Sequence, residues 1–433
     1  MSHQFVPGIA SQSLGCPQYH GIHDKLQAAA GAGLRSVEIF FEDIRQLAIA
    51  QRSNPSMIPQ STRSLSRSAN TQHAHLTKEQ QEQLLCARQI RGWCKEAYRG
   101  ARPLDIICLQ PFMHFEGLLD PQERHARFEK LNFWIQVAEQ LGTDLIQIPS
   151  NFLSQSECTG DRSRLIADLR EAAKIGAAQS PPIRFAYEAL CWGTHINTWD
   201  AAWSIVEEVD MLNFGTCLDT FNIAGRVHAD PEALDGKNAD ADADMSRSIQ
   251  LLKDTFSDPE KLKKVFYVEL CDGERLDAPL DPDHEWYDAN QPSRMTWSRN
   301  ARLYPFETDS KEAAAQDRRA GYLPVTQIFD ALLDVGYTGY LSFEVFNRSL
   351  NQESSQVIAT HAERVSISWE RCAEYIDNRL AQRDTRNTKE STSTPEDNSQ
   401  LILSDILDIA STNVISSRFT RVPDFTTNIA PRL

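Results

Sequence analysis

Along the chain, short and nearly continuous apolar runs alternate with longer stretches whose apolar positions recur every three or four residues. These are the two periods that separate a buried strand from an amphipathic helix. The runs from Pro7 to Leu14, Ser36 to Phe41, Asp105 to Gln110, Asp144 to Pro149, Arg184 to Trp192, Phe214 to Asp219, Val265 to Glu269 and Gly339 to Phe346 predict strands. Between them, His23 to about Gly33, Lys78 to Tyr98, Pro121 to Leu141, Asp161 to Ala178, Thr198 to Val209, Met245 to Phe256 and Val325 to Val335 predict helices, and about Ala359 to Arg383 a closing one. Asp120 precedes the third helix as an N-cap, Gly31 and Gly33 end the first, and Pro181-Pro182 breaks the chain before the fifth strand.

Strands that are apolar on both faces and separated by helices build a parallel sheet covered on both sides. Eight such repeats favour closure into a single (β/α)8 barrel, the TIM-barrel architecture, over an open sheet. The α/β barrel domain is expected at 1–383. Within it the segment at about 51–76 is rich in Ser, Gln, Asn, Thr and Pro, and reads as an inserted surface loop. Residues 384–433 read as a mostly disordered tail in which Leu401 to Ile409, apolar at helical spacing, forms a short helix that docks on the barrel or on a partner. The connection from Cys271 to about Leu323 is long and rich in Pro, Trp, Tyr and Arg, the character of a functional loop.

Chemistry in such a barrel sits at the C-terminal strand ends. Here those ends read Gln12, Glu38, Gln110, Gln147, Glu188, Asp219, Glu269 and Glu344. One acid at a strand end is commonly a salt-bridged terminus; acids at four successive ends point to one shared site. Glu188, Asp219, Glu269 and Glu344 offer only oxygen, which suits a hard divalent ion such as Mg2+, Mn2+ or Co2+ better than zinc. Such an ion polarises a carbonyl and acidifies the adjacent carbon, the chemistry of isomerases, epimerases and lyases of small oxygenated substrates. The segment Arg294-Met-Thr-Trp-Ser-Arg-Asn-Ala-Arg302 then supplies guanidinium forks for a substrate carboxylate, with Arg302, Arg299 and Arg294 as candidates. Trp192 and Phe221 follow two of the acidic strand ends and either wall an apolar ring or cap the core. Asn222 is placed to contact substrate oxygens. His114 is the imidazole nearest the mouth, and a lone histidine is more often an ordinary hydrogen-bonded residue than a base.

Composition narrows the partners. The 433 residues are 41% hydrophobic, enough for a sizeable core, and the net charge of -16 argues against nucleic acid. No apolar run approaches the roughly 20 residues of a membrane helix, and the N-terminus lacks the basic and apolar regions of a signal peptide. The nine cysteines form no Cys-x-x-Cys pair and read as reduced core thiols. A cytoplasmic protein acting on a small carboxylic acid is expected, with no nucleic-acid or membrane partner; homo-oligomerisation stays open.

Several motifs, in order and in spacing, carry a resemblance: Val37-Glu-Ile-Phe, Ile107-Cys-Leu-Gln-Pro-Phe112, Ile146-Gln-Ile-Pro-Ser-Asn-Phe152, Tyr187-Glu-Ala-Leu-Cys-Trp192, Cys217 to Arg226, Met295-Thr-Trp-Ser-Arg299 and Leu341-Ser-Phe-Glu-Val-Phe-Asn347. From about Ile9 to Asp377 the chain resembles the fungal 3-dehydroshikimate dehydratases of quinate catabolism, in the xylose isomerase-like barrel superfamily. The resemblance implies metal-dependent dehydration of 3-dehydroshikimate to protocatechuate. It implies metal ligation by Glu188, Asp219, Glu344 and the residue at 269, with substrate contacts from Ser298 and Arg302; Gln110, Arg299 and Asn222 complete the candidate set. Two departures stand out. The family pattern usually has Gln where this chain has Glu269, and bacterial relatives carry Arg and His where this chain has Met113 and Asn222, so their base does not transfer. The alternatives are a sugar isomerase or epimerase on the same barrel, or a non-catalytic relative that binds a metabolite. A DNA-repair endonuclease fits worst, because the charge is wrong and the His-rich zinc pattern is missing.

Overall fold

Eight runs that bury both faces close on themselves: β1 (Phe5–Ala10), β2 (Ser36–Phe40), β3 (Asp105–Gln110), β4 (Leu145–Pro149), β5 (Arg184–Glu188), β6 (Phe214–Asp219), β7 (Val265–Leu270) and β8 (Gly339–Phe343). They form one closed parallel barrel in chain order, with β8 pairing back onto β1. The computed structural model of the chain describes residues 4–54, 76–96, 102–307 and 321–392. Most of the expected 51–76 insertion and all of Leu401 to Ile409 lie outside the described residues. The chain divides into two units, Met1–Tyr375, which holds the barrel, and Ile376–Leu433. Among the described residues no helix is long and apolar enough to cross a membrane. All nine cysteines are free, and only Cys16 is not fully buried.

The helices are α1 (Ile22–Gly31), α2 (Phe41–Ser53), α3 (Lys78–Lys95), α4 (Pro121–Leu141), α5 (Arg162–Ala177), α6 (Trp199–Val209), α7 (Thr220–Val227), α8 (Ala241–Phe256), α9 (Ser293–Ala301), α10 (Val325–Asp334) and α11 (Gln356–Thr392), with a single turn at Pro259–Leu262. Their starts are chemically marked. Thr77 and Gln80 form a reciprocal capping box ahead of α3, Asp120 accepts from Gln122 N with Pro121 in the first turn of α4, and Asp161 and Thr198 cap α5 and α6. Gly142 ends α4 at φ 79, where a Cβ would also strike the Arg91 side chain.

Three helices, α2, α7 and α9, occupy stretches that periodicity alone assigns to no helix. Phe41 continues the apolar run of β2, yet it opens α2, and its ring stacks on Trp134 at 4.7 Å between centroids. β1 likewise stops at Ala10, and Ser11–Leu14 turn as a 3-10 helix. Ser11 explains the turn: its hydroxyl accepts from Phe40 N and donates to Asp43 Oδ2 at 2.7 Å. Asp43 in turn receives Lys25 Nζ at 2.8 Å, with both side chains out of water. Burial pushes the Lys25 amine below its usual value, and the Asp43 charge opposes that shift. This pair therefore ties α1, α2 and the end of β1 together, and neither member has another charged partner among the described residues. Removing the acid strands a buried ammonium, so Asp43→Ala is expected to lower the unfolding free energy by about 3 to 5 kcal/mol in urea titration. A loss within the range of an exposed pair, about 1 kcal/mol or less, would show that the pair is not the clamp described.

Candidate metal centre and cavity

The barrel register brings the acidic strand ends to one level. Asp219, the last residue of β6, pairs with Glu269 of β7, and Glu269 pairs with Ser342 of β8. Glu188 ends β5, and Glu344 follows β8 by one residue. One carboxylate oxygen from each of Glu188, Asp219, Glu269 and Glu344 lies within 4.8 Å of the others, and all four residues are buried.

The polar groups around them are almost fully committed. Asp219 is both strand end and N-cap of α7: Oδ1 accepts from Phe221 N at 2.7 Å, while Oδ2 accepts from Asn222 Nδ2 at 2.7 Å and Arg302 Nη1 at 2.9 Å. The same Arg302 nitrogen reaches Glu344 Oε2 at 3.0 Å, and its Nε donates to Ser298 Oγ at 2.9 Å. Phe221 and Phe346 flank the guanidinium at 4.4 and 5.0 Å from their ring centroids. Glu188 accepts from Asn222 Nδ2 at 2.7 Å and from Gln147 Nε2. Beneath Glu269, whose Oε1 accepts from Tyr267 at 3.2 Å, lies a fifth acid, Glu38, which receives Gln110 Nε2 at 2.6 Å and the Ser342 hydroxyl. Burial raises the Glu38 carboxyl above its usual range, with the hydrogen bond from Ser342 opposing part of the shift.

Charge is out of balance in this group. Burial, and then the Glu344 and Asp219 charges, hold the Glu188 carboxyl well above its usual range; burial, Glu344 and Glu188 do the same to Glu269. Burial raises Asp219 and pushes Glu344 up to about 8, with Arg302 opposing both shifts. Two buried oxygens, Glu269 Oε2 and Gln147 Oε1, have no donor among the described residues. A buried set of four oxygen donors short of positive charge, one of them with an uncommitted oxygen, fits a hard divalent cation.

Above this set opens a cavity of about 720 Å³. Glu188, Glu344, Gln110, Gln147, Ser298 and Arg302 form its floor, and Phe40, Phe41, Trp134, Phe152, Trp192 and Phe346 line its walls. Arg299 also lines it and donates to Gln291 Oε1 at 2.9 Å. Other expected residues stand elsewhere. Asn222 does not face the cavity: its Oδ1 accepts from Cys191 N and both amide hydrogens go to Glu188 and Asp219, so it braces two acids and has nothing left for a substrate. Arg294 bonds Gly225 O, Ala229 O and Asn238, holding the loop after α7. His114 packs on Phe152 at 4.3 Å and leaves the adjacent Met113 to line the cavity. Of the two aromatic candidates Trp192 is wall, whereas Phe221 is core beneath Arg302.

Sequence reasoning passes over Glu116, which lies in a loop with no periodicity to mark it. Its Oε1 accepts from Asn151 N at 2.6 Å and Tyr187 OH at 2.9 Å, fixing the loop that carries Phe152 and the residue before Glu188. Burial pushes this carboxyl from 4.5 up to about 7. Between those values the native chain keeps a proton that the unfolded chain has lost, so stability falls as pH rises through the window. Glu116→Gln keeps the acceptor and cannot ionise. It is expected to match the wild type near pH 4.5 and to exceed it by about 2 to 3 kcal/mol at pH 8; equal melting curves at both pH values would refute this. For the acids themselves, Glu344→Gln or Asp219→Asn should weaken Mn2+ binding by at least about 100-fold in titration calorimetry, beyond the effect of losing an outer-shell contact. Unchanged binding would remove that residue from the ligand set.

The family model described as xylose isomerase-like TIM barrel matches residues 26–365. The chain is 40% identical over 371 residues to the 3-dehydroshikimate dehydratase of Neurospora crassa, a match spanning 83% of this chain and 91% of that one. The 3-dehydroshikimate dehydratase of Pseudomonas aeruginosa is 28% identical over 60% of this chain, and that of Pseudomonas putida 26% over 75%; the matches span only 31% and 36% of those longer proteins. Among solved structures, the IOLI protein with a zinc atom aligns at TM-score 0.53 and 14% identity over 84% of this chain and 97% of that one, a likeness of fold alone. The chain thus belongs to the xylose isomerase-like TIM barrel family, and within it to the family of the Neurospora crassa protein.

Proposed function

We propose that this protein is a metal-dependent hydro-lyase that converts 3-dehydroshikimate to protocatechuate in quinate and shikimate catabolism, with Glu188, Asp219, Glu269 and Glu344 holding Mg2+, Mn2+ or Co2+. One observation carries the reading: two members of a buried four-carboxylate cluster, Glu188 and Glu344, open into a cavity walled by Phe and Trp, in a chain whose curated relatives are 3-dehydroshikimate dehydratases. A six-membered ring on its way to becoming aromatic matches such walls. The free thiols suit a reducing compartment, and we place the enzyme in the cytoplasm.

The reaction removes a proton from C4, beside the C3 ketone, expels the C5 hydroxyl, which leaves with a proton as water, and moves a proton from C6 to the C3 oxygen, so that the ketone becomes a phenol and the ring becomes aromatic. A bound divalent cation would polarise the ketone and make the C4 proton acidic. The chain's own residues position and protect. Arg302 fixes Asp219 and Glu344 in one geometry and presents Ser298 to the cavity. Asn222 and Gln147 orient Glu188. Tyr267 donates to Glu269, and Gln110 and Ser342 donate to Glu38, so each of these two buried acids is held in place. The aromatic walls exclude water, which strengthens each of these interactions.

Protein loaded in turn with Mg2+, Mn2+ and Co2+ is expected to produce protocatechuate from 3-dehydroshikimate, followed by ultraviolet absorbance. Flat traces with all three would overturn the reading. In the same assay Glu269→Gln should keep its metal and retain or raise activity at high pH, because burial and the neighbouring carboxylates already favour the neutral form at this position and an amide is neutral at every pH. A folded, metal-loaded variant with kcat lower by about 100-fold or more would instead give Glu269 an ionised or proton-transferring role.

A further inference from the structure

An anionic substrate entering this cavity meets acids on its floor and Glu42 on its wall, and needs a cation that is not already committed. Four basic residues line the cavity: Arg45, Lys130, Arg299 and Arg302. Arg45 pairs with Glu42 at 3.0 Å. Arg302 is spent on Asp219 and Glu344, and Arg299 donates to Gln291 and lies in the field of Asp288. Lys130, on α4, has no hydrogen-bond acceptor and no carboxylate partner among the described residues. Its amine sits 5.3 Å from the Phe112 ring centroid and 5.5 Å from that of Trp134. Trp134 is one helical turn further along α4 and buried, as is Phe112, so the Lys130 ammonium lies against a fixed aromatic shelf on a residue that lines the cavity.

Resting on the reading of the substrate as a small carboxylic acid, we propose that the ammonium of Lys130 is the receptor for the substrate's carboxylate. Ring faces compensate a cation only partly, and a bound carboxylate completes the set with a charge-assisted hydrogen bond. Burial and the neighbouring Arg127 charge push the Lys130 amine down to about 8, as befits an ammonium with no anion beside it. The arrangement also orients the ligand: the carboxylate goes to the α4 side of the cavity and the oxygenated edge of the ring to the acidic floor.

The test uses the full-length, Mn2+-loaded protein and two probes that differ by the carboxylate alone, protocatechuate and catechol, with binding followed by calorimetry. Lys130→Met should weaken protocatechuate by about 10- to 100-fold, the scale of a charge-assisted bond in a desolvated site, and leave catechol unchanged. Lys130→Arg should restore most of the loss. With 3-dehydroshikimate the KM of Lys130→Met should rise in parallel while kcat stays within about threefold, the pattern of lost uniform binding. Unchanged protocatechuate binding overturns the proposal, as does an equal loss for both probes, which marks packing alone. A fall in kcat at constant KM also overturns it, because that pattern assigns Lys130 to proton transfer. If the wild type makes no protocatechuate, the dehydratase reading falls, and the two-probe comparison still decides the role of Lys130.

Discussion

Like charges gathered out of water set the terms for this barrel. Taking one carboxylate into a dry interior is costly, and each further carboxylate within a few ångströms adds repulsion to the loss of hydration. Among the described residues, four clustered acids and a fifth, Glu38, have one guanidinium in contact with them, that of Arg302, which pairs with Asp219 and Glu344 alone. The neighbouring polar side chains answer that excess: the amides of Asn222, Gln147 and Gln110 and the hydroxyls of Tyr267 and Ser342 all donate to it.

The same imbalance accounts for the long seventh connection. Arg302 is 83 residues beyond Asp219 in the chain, and the segment between returns it to the strand ends. There Arg302–Leu303 pairs antiparallel with Asp272–Gly273. Gly273 makes the return feasible, since a Cβ at that position would lie 2.7 Å from the Trp297 ring. Trp297 packs on Phe221 at 4.4 Å, and Phe221 supports the guanidinium. The described part of the connection up to residue 307 is thus a packed structure that positions one charge.

How much of this is legible in the sequence depends on the range of the interaction. Strand ends carry their own signal, because an acid closing an apolar run is anomalous wherever the chain later goes; Glu188, Asp219, Glu269 and Glu344 are placed that way. The α2, α7 and α9 helices are harder to read. Phe41 continues an apolar strand, α7 is too short to repeat a period, and α9 lies among Pro, Trp and Arg. Side-chain roles that need a distant partner are not legible at all. Asn222 reads as a group for substrate oxygens until Cys191 N is seen to occupy its carbonyl oxygen. Arg302 reads as a free fork until two acids from other strands are seen on it. Lys130 reads as one more charge on a helix until the Phe112 and Trp134 faces are found beside it.

Asp219 closes a strand, opens a helix and joins the carboxylate cluster with one side chain. One of its oxygens is bound to Phe221 N whatever the other does. Natural selection can therefore retain Asp219 for two separate reasons, and a relative that lost its chemistry would still lose stability on replacing it. Glu188 and Glu344 cap no helix. In comparing distant members of this family, an aspartate at this strand end is correspondingly weaker evidence of retained activity than glutamates at those two.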